Sequence, residues 1–263
     1  MKIPRSIRRR LRRPAALVRR LTQRAVTPAP ATHATYESLY ETHARSTGDD
    51  GVGGGEYDVM GEIELDVLRA EGLQPTSTLL DFGCGNGRLA VHAVRYLEQG
   101  MYVGTDIAPT FLAQAARRVE LARAGSACEI KLVHQVGEQF DLPDHSVDIA
   151  CAFSVFTHME HEDMYRYLVQ FKRIVRPSGR LVISCLPMSL PEAQPIFLAE
   201  AALDPVGRWQ RVRNVITSVD LVNQIASLAG WSVVRWLPGD EGQALSSAGE
   251  LRRLGQSIVV LSP

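Results

Sequence analysis

Short apolar runs recur along the chain and alternate with longer segments whose apolar residues have helical spacing. One run ends in Asp81, and others predict strands at Met101 to Asp106, Glu129 to Val133, Trp231 to Leu237 and Ser257 to Leu261. Helical segments are predicted from near Pro109 and from Asp163 to Val175. This alternation favours a parallel α/β sheet with helices on both faces.

Three glycines at alternate positions follow the strand that ends in Asp81. Gly83, Gly85 and Gly87 let the backbone turn sharply and let a ligand approach closely. The helical run behind them offers unpaired N–H groups, at the sheet edge where open α/β folds bind ligands. A dinucleotide fingerprint would place its third glycine at position 88, which is Arg88, so the spacing departs from the dehydrogenase pattern.

An acid followed by G-x-G-x-G resembles motif I of the class I S-adenosylmethionine-dependent methyltransferases. Further features follow in the family's order: the strand acid Asp106, a fourth strand and loop at Ser146 to Met159, and a proline-glycine turn with a fifth strand at Arg176 to Ser184. The resemblance covers Gly61 to Leu186. It implies a Rossmann-like, doubly wound, mostly parallel sheet of seven strands with an antiparallel final strand, and S-adenosylmethionine as cofactor.

The resemblance also implies which residues hold that cofactor. Asp106 would accept from both ribose hydroxyls, or alternatively it caps the helix that begins near Pro109. Glu138 stands where the family carries an acid that accepts from the adenine amino group, and Asp141 is the competing choice. The predicted cofactor-binding set is Asp81, Gly83, Cys84, Gly85, Gly87, Asp106, Ile107, Glu138, Gln139 and Phe153.

His158 follows the fourth strand, at a position that the family often places near the methyl acceptor. An imidazole suits proton removal near neutral pH, so His158 is the predicted catalytic residue. The alternative is that it caps or packs against the following helix. His158 and His161 have a His-x-x-His spacing, but a solvated loop is the favoured interpretation and no metal is expected.

The absence of two motifs restricts the class of methyl acceptor that the sequence suggests. The fourth strand continues as Phe153-Ser154-Val155-Phe156 rather than the Asn/Asp-Pro-Pro-Tyr of amino-methylating nucleic-acid enzymes, and the chain has no Pro-Cys nucleophile. We therefore expect methyl transfer to a small-molecule, lipid or glycan acceptor, and to oxygen. Tyr36 to Tyr57 and Leu190 to Thr217 are expected to shape its pocket. An RNA methyltransferase and a catalytically silent binding module are the alternatives.

The balanced net charge hides an asymmetry. Met1 to Arg24 carries ten Lys and Arg and no acid, so the remainder of the chain has a net charge of −10. A basic arm with interleaved Ile, Leu and Val favours peripheral contact with an anionic membrane, and a solvated tail is the alternative. Residues 1–30 are predicted to form this arm and a linker. Residues 31–263 would be the catalytic domain, with a lid at 31–60 and an insertion at 190–217.

Four cysteines, Cys84, Cys128, Cys151 and Cys185, lack the spacing of a metal site or a disulfide framework. They are expected to be small, reduced, mostly buried residues of a cytoplasmic protein.

Overall fold

The computed structural model describes residues 32–47, 56–123, 125–246 and 248–263. The helices are α1 (Thr32–Thr47), α2 (Tyr57–Ala70), α3 (Ala90–Tyr96), α4 (Pro109–Ala122), α5 (His161–Ile174), α6 (Ala193–Ala201), α7 (Pro205–Arg208) and α8 (Val219–Leu228). The strands are β1 (Thr78–Phe82), β2 (Met101–Asp106), β3 (Glu129–His134), β4 (Val147–Ala152), β5 (Val175–Cys185), β6 (Ser232–Leu237), β7 (Ala244–Leu245), β8 (Leu251–Arg252) and β9 (Ser257–Ser262). The predicted basic arm, and the glycine run at 48–55 within the predicted lid, lie outside the described residues.

Seven strands form one sheet in the order β3-β2-β1-β4-β5-β9-β6. Strands β1 to β5 pair in parallel, and β9 is antiparallel to both β5 and β6. This order confirms the predicted doubly wound fold. It also brings the carboxyl ends of β1, β2 and β4 to one edge, because neighbouring parallel strands end on the same side.

The sheet has a hydrophobic core on each face because successive side chains of a strand point to opposite sides. Leu79 and Leu80 show the division: Leu79 packs with α2, α3 and α4, and Leu80 packs with α5 and α8. The second core is rich in aromatic rings, and Phe82 lies 4.6 Å from Tyr167 between ring centroids. Both faces of the sheet are therefore covered, which explains the near-continuous burial of β1, β2 and β4.

The fifth strand begins earlier than the sequence predicts. Helix α5 ends at Ile174 and β5 starts at Val175, so the predicted proline-glycine turn is part of the strand. The pairing of β4 with β5 jumps from Val147–Val175 to Ile149–Arg180, and this bulge absorbs the intervening residues. Proline and glycine are tolerated there because a bulge relieves the need for a ladder hydrogen bond.

The polar loop between β6 and β9 contains a two-stranded ribbon, β7–β8, that the sequence pattern does not predict. Each strand has two residues, too short for a recognisable period. None of the helices in the described segments is both long and apolar enough to cross a membrane.

Candidate active site

A cavity of about 590 Å³ opens at the carboxyl ends of β1, β2 and β4. Its wall combines the glycine turn, the ends of these strands, α1 and the segment after α7. Eight of the predicted site residues line it: Asp81, Gly83, Cys84, Gly85, Asp106, Ile107, Phe153 and His158. The predicted cofactor-binding residues and the predicted catalytic residue His158 therefore line the same cavity.

The turn after β1 depends on glycine. Gly83, Gly85 and Gly87 have φ values of +73°, +55° and +95°, which residues with a side chain rarely adopt. A Cβ on Gly83 would also lie 2.4 Å from Val155 Cγ2. The N–H groups of Gly83 and Cys84 donate to the Thr105 carbonyl at 2.8 and 2.9 Å, which fastens the turn to β2.

Asp106 ends β2 and is held by two backbone donors. Gly85 N–H donates to Oδ2 and Ala108 N–H donates to Oδ1, each at 2.8 Å. Burial raises the pKa of Asp106 to about 6, and the backbone hydrogen bonds oppose that rise. The carboxylate therefore supports the turn and the start of α4, and each oxygen keeps lone pairs that can accept from ligand hydroxyls.

Asp81 reaches the cavity wall but is already hydrogen-bonded within the protein. The Tyr102 hydroxyl donates to Oδ2 at 2.6 Å, and the Cys151 thiol lies 3.7 Å from Oδ1. Burial raises the pKa of Asp81 to about 7. Its contribution here is to connect β1 to β2 through Tyr102 and to β4 through Cys151, and its predicted contact with the cofactor stays a prediction.

A buried ion pair behind the glycine turn is not predicted from the sequence. Arg88, which occupies the position of the missing third glycine, bonds Glu64 of α2 through Nε at 3.3 Å and also through Nη2. Both side chains are buried and both line the cavity. The only sequence signal is an acid on the face of α2 that also carries the buried Ile63, Val67 and Leu68.

The remaining predicted cofactor residues lie outside the cavity wall. Glu138 pairs with Arg166 of α5, and Gly87 packs against Ala115 of α4. The Gln139 carbonyl accepts from Gln135 Nε2 at 2.7 Å. Gln135 does line the cavity, so it is the residue after β3 that the structure places at the site. The assignments of Gly87, Glu138 and Gln139 to the cofactor remain predictions.

The surroundings of His158 fix its tautomer. Its Nδ1 lies 2.8 Å from the backbone carbonyl of Arg213, and a carbonyl can only accept, so Nδ1 carries the proton. The neutral ring then has its unprotonated lone pair on Nε2. Burial lowers the pKa of His158, and Tyr40 of α1 packs edge-on at 6.4 Å between ring centroids. Burial keeps the imidazole neutral, and the contacts with Arg213 and Tyr40 orient it.

Helix α1 covers the cavity from the side opposite the sheet. Glu41 accepts from Thr110 N–H at 3.1 Å and from its hydroxyl at 2.6 Å, at the start of α4. The Tyr36 hydroxyl donates to Asp163 Oδ2 at 3.3 Å, at the start of α5. Burial and the neighbouring Asp163 raise the pKa of Tyr36 to about 12, so its hydroxyl stays protonated. A further contact joins Glu37 of α1 to His134 at the end of β3, at 3.3 Å, so α1 is attached at three points of the sheet edge.

The loop after β4 is held in an unusual conformation. Ser154 has φ +58°, although it is not glycine. Its N–H donates to Ser184 Oγ at 2.7 Å, Ser184 donates to Gln256 Oε1 at 2.7 Å, and Gln256 Nε2 donates back to Ser154 Oγ at 3.0 Å. Strained backbone that neighbours over-determine is common at functional sites. Both Ser154 and Gln256 line the cavity beside His158.

The segment after β5 supplies the last part of the wall. Arg211, Val212 and Asn214 line the cavity, as the sequence analysis expects of residues 190–217. Within the ranges that the structure describes, no group of three His, Cys, Asp or Glu residues could hold a metal ion. His161 Nε2 instead lies 3.1 Å from Thr217 Oγ1.

Residues 80–183 match the family described as "Methyltransferase domain". The small RNA 2'-O-methyltransferase of Arabidopsis thaliana is 32% identical over 129 residues, 45% of this chain and 14% of that protein. Cyclopropane mycolic acid synthase 1 of Mycobacterium tuberculosis is 28% identical over 190 residues, 67% of this chain and 61% of that protein. The chain thus spans less than two thirds of the length of these curated relatives.

The fold is shared with solved structures of low sequence identity. Magnesium protoporphyrin IX methyltransferase from Synechocystis PCC 6803, solved with bound SAH, superposes with a TM-score of 0.61 at 18% identity. The superposition covers 86% of this chain and 98% of that one.

Proposed function

We propose that this chain, whose residues 80–183 match a methyltransferase domain, is a class I S-adenosylmethionine-dependent methyltransferase that methylates a hydroxyl oxygen of a small-molecule, lipid or glycan acceptor. The domain match supports the family and the enzyme class, and solved structures of the same fold with bound SAH or SAM support S-adenosylmethionine as cofactor. The proposed transfer to a hydroxyl oxygen rests on the tautomer of His158, in which Nε2 carries no proton. His158 also lines the same cavity as the glycine turn and Asp106.

The residues present fit the cofactor. The positive φ values keep side chains out of the glycine turn, and Asp106 presents acceptor lone pairs suited to a ribose diol. Ile107 and Phe153 add apolar wall beside them. S-adenosylmethionine, when bound, supplies an electrophilic methyl group.

The protein's own contribution is to orient the acceptor, exclude water and remove a proton. A hydroxyl is a weak nucleophile until a base takes its proton, and His158 Nε2 is the candidate base. The Arg213 carbonyl stabilises the imidazolium that forms, because it accepts from Nδ1 in both protonation states. Helix α1 and the segment after α7 close the cavity, and positioning in such a space accounts for much of the acceleration.

Two features support a small or lipid-type acceptor. The acceptor side of the wall includes Tyr36, Tyr40 and Met159, which offer apolar surface with a few polar groups. One relative is named for the synthesis of cyclopropane mycolic acid. The RNA methyltransferase among the relatives supports oxygen as the target and keeps an RNA hydroxyl as the second candidate acceptor.

The test uses the full chain, methyl-labelled S-adenosylmethionine and a fractionated cell extract divided into small-molecule, lipid, glycan and RNA pools. Label in the RNA pool would replace the proposed acceptor class. With the labelled pool as substrate, His158→Gln should lower kcat about 10²- to 10⁴-fold, the usual contribution of a general base. Cofactor affinity measured by calorimetry should not change.

The pH profile provides a second readout. Since burial lowers the pKa of His158, the acid limb of the turnover profile should lie at a lower pH than a free imidazole would give, and it should disappear in His158→Gln. His161→Gln is the matched control, because His161 is three residues away but bonds Thr217 rather than the cavity. Full turnover in His158→Gln would show that this histidine only packs against Tyr40.

A further inference from the structure

Helix α6 buries a charge and exposes apolar side chains. Its only charged residue, Glu200, is buried, and it accepts from Asn214 N–H at 3.0 Å and lies 3.4 Å from Arg211. Ile196 packs inward, but the other two large apolar residues face solvent: Leu198 is 66% exposed and Phe197 is 44% exposed. A surface helix ordinarily buries its apolar side, so this arrangement indicates a surface that contacts something apolar.

Helix α7 and the residue that follows it carry two more exposed apolar side chains. Val206 is 66% exposed, and Trp209, at the end of that helix, is 55% exposed. The backbone N–H of Trp209 donates to the Val206 carbonyl at 3.1 Å, which places the two residues on one turn. We call the surface formed by Phe197, Leu198, Val206 and Trp209 the apolar patch.

Arginines border the apolar patch. The Arg213 guanidinium lies 4.4 Å from the centroid of the Trp209 ring and also pairs with Glu160, and the exposed Arg211 pairs with Glu200. Arg208 has no ion-pair partner in the part of the chain that the structure describes. Asp204, the acidic residue of this turn, accepts hydrogen bonds from the backbone N–H groups of Val206 and Gly207 at 3.0 and 2.9 Å.

We propose that the apolar patch and its arginines form a surface that inserts into the interface of an anionic lipid bilayer. Tryptophan with a polar edge, aliphatic side chains and arginine is the composition that seats at a membrane interface. Helix α6 has nine residues, far fewer than the about 20 needed to cross a bilayer, so it lies in the interface.

Size and charge favour a bilayer over a protein partner. Four partly exposed side chains offer well under the about 800 Å² per partner that a stable protein interface buries. The sequence adds ten cations within residues 1–24, which an anionic surface would also attract. Because Arg211 and Asn214 line the cavity, the patch would set the cavity mouth against the membrane.

Trp209 provides a direct probe. In the full chain, phosphatidylcholine vesicles containing phosphatidylglycerol should shift the tryptophan emission to the blue, and pure phosphatidylcholine should do so much less. Trp231 is buried and Trp236 is partly buried, so Trp209→Phe should abolish most of the shift. This measurement needs no methyl acceptor and is independent of the proposed function.

Co-sedimentation of the same vesicles tests the aliphatic residues. Leu198→Ser with Val206→Ser should weaken binding about tenfold or more, since each removes apolar surface from the bilayer. Leu121→Ser is the matched control, because Leu121 is 84% exposed on α4 and should leave binding unchanged.

Three results would overturn the proposal. The first is sedimentation with anionic vesicles without any change in Trp209 emission, because residues 1–24 would then act alone. The second is equal loss of binding in the double variant and in Leu121→Ser. The third is a concentration-dependent blue shift without vesicles, accompanied by a larger species in sedimentation velocity, which would identify a second copy as the occupant.

Discussion

Replacing Gly83 with alanine tests the turn that shapes the cofactor side of the cavity. The residue has φ +73°, and an added Cβ would lie 2.4 Å from Val155 Cγ2. The left-handed conformation costs an L-residue about 1–2 kcal/mol. Displacing Val155 costs a further ~1–3 kcal/mol, the usual range for overpacking. Gly83→Ala should therefore lower the free energy of unfolding by about 2–5 kcal/mol.

A matched variant separates the two costs. Gly72 has φ +99°, and an added Cβ there would meet nothing within 4 Å, so Gly72→Ala carries the conformational cost alone. Adding Val155→Ala to Gly83→Ala removes the clashing methyl group and should recover the overpacking share only. Urea denaturation of these three variants, of Val155→Ala alone and of the parent, monitored by circular dichroism, gives each contribution through a double-mutant cycle.

Cofactor affinity is the functional readout of the same series. Val155 lines the cavity, so its displacement in Gly83→Ala should weaken binding of S-adenosylhomocysteine in calorimetry, and Gly72→Ala should not. If Gly83→Ala is no less stable than Gly72→Ala, or if Val155→Ala restores no free energy of unfolding in the double variant, Val155 does not crowd a side chain at position 83.

Three further predictions follow from the buried and bridging acids. Asp106→Ala should weaken S-adenosylhomocysteine binding by about 2–4 kcal/mol in calorimetry, because charge-assisted hydrogen bonds to hydroxyls are lost, and an unchanged affinity would exclude that role. The pKa of Asp81 is about 7 when folded, against 3.8 for the free side chain, so the stability gained by its protonated form is present below pH ~4 and is lost as pH rises to about 7. Asp81→Asn should flatten that slope by at most ~1.4 kcal/mol per pH unit in urea melts at several pH values, and a parallel profile would contradict the assignment. Glu41→Ala removes both bonds to Thr110, so amide hydrogen exchange in α1 should accelerate relative to α5, and equal protection would show that α1 does not depend on Glu41.

Local signals in the sequence were sufficient for the strands of the seven-stranded sheet, though not for the β7–β8 ribbon, and for the glycine turn and Asp106 of the site. The spacing of Gly83, Gly85 and Gly87 reflects a backbone requirement at those positions alone, and an acid that ends a strand, as Asp106 does, lies at the sheet edge in any doubly wound fold. The elements were predictable for the same reason, since each has its own period and its own boundary residues. The start of β5 was not, because the bulge against β4 depends on the partner strand.

Residues that act through distant contacts needed the tertiary structure. Arg88 and Glu64 are 24 positions apart, and His158 receives its tautomer from a carbonyl 55 positions away. Helix α6 is the clearest case: its sequence is almost wholly apolar and by itself predicts burial. The fold turns Phe197 and Leu198 outward because Glu200 is held inside by Asn214 and Arg211, and no local pattern records where that partner lies.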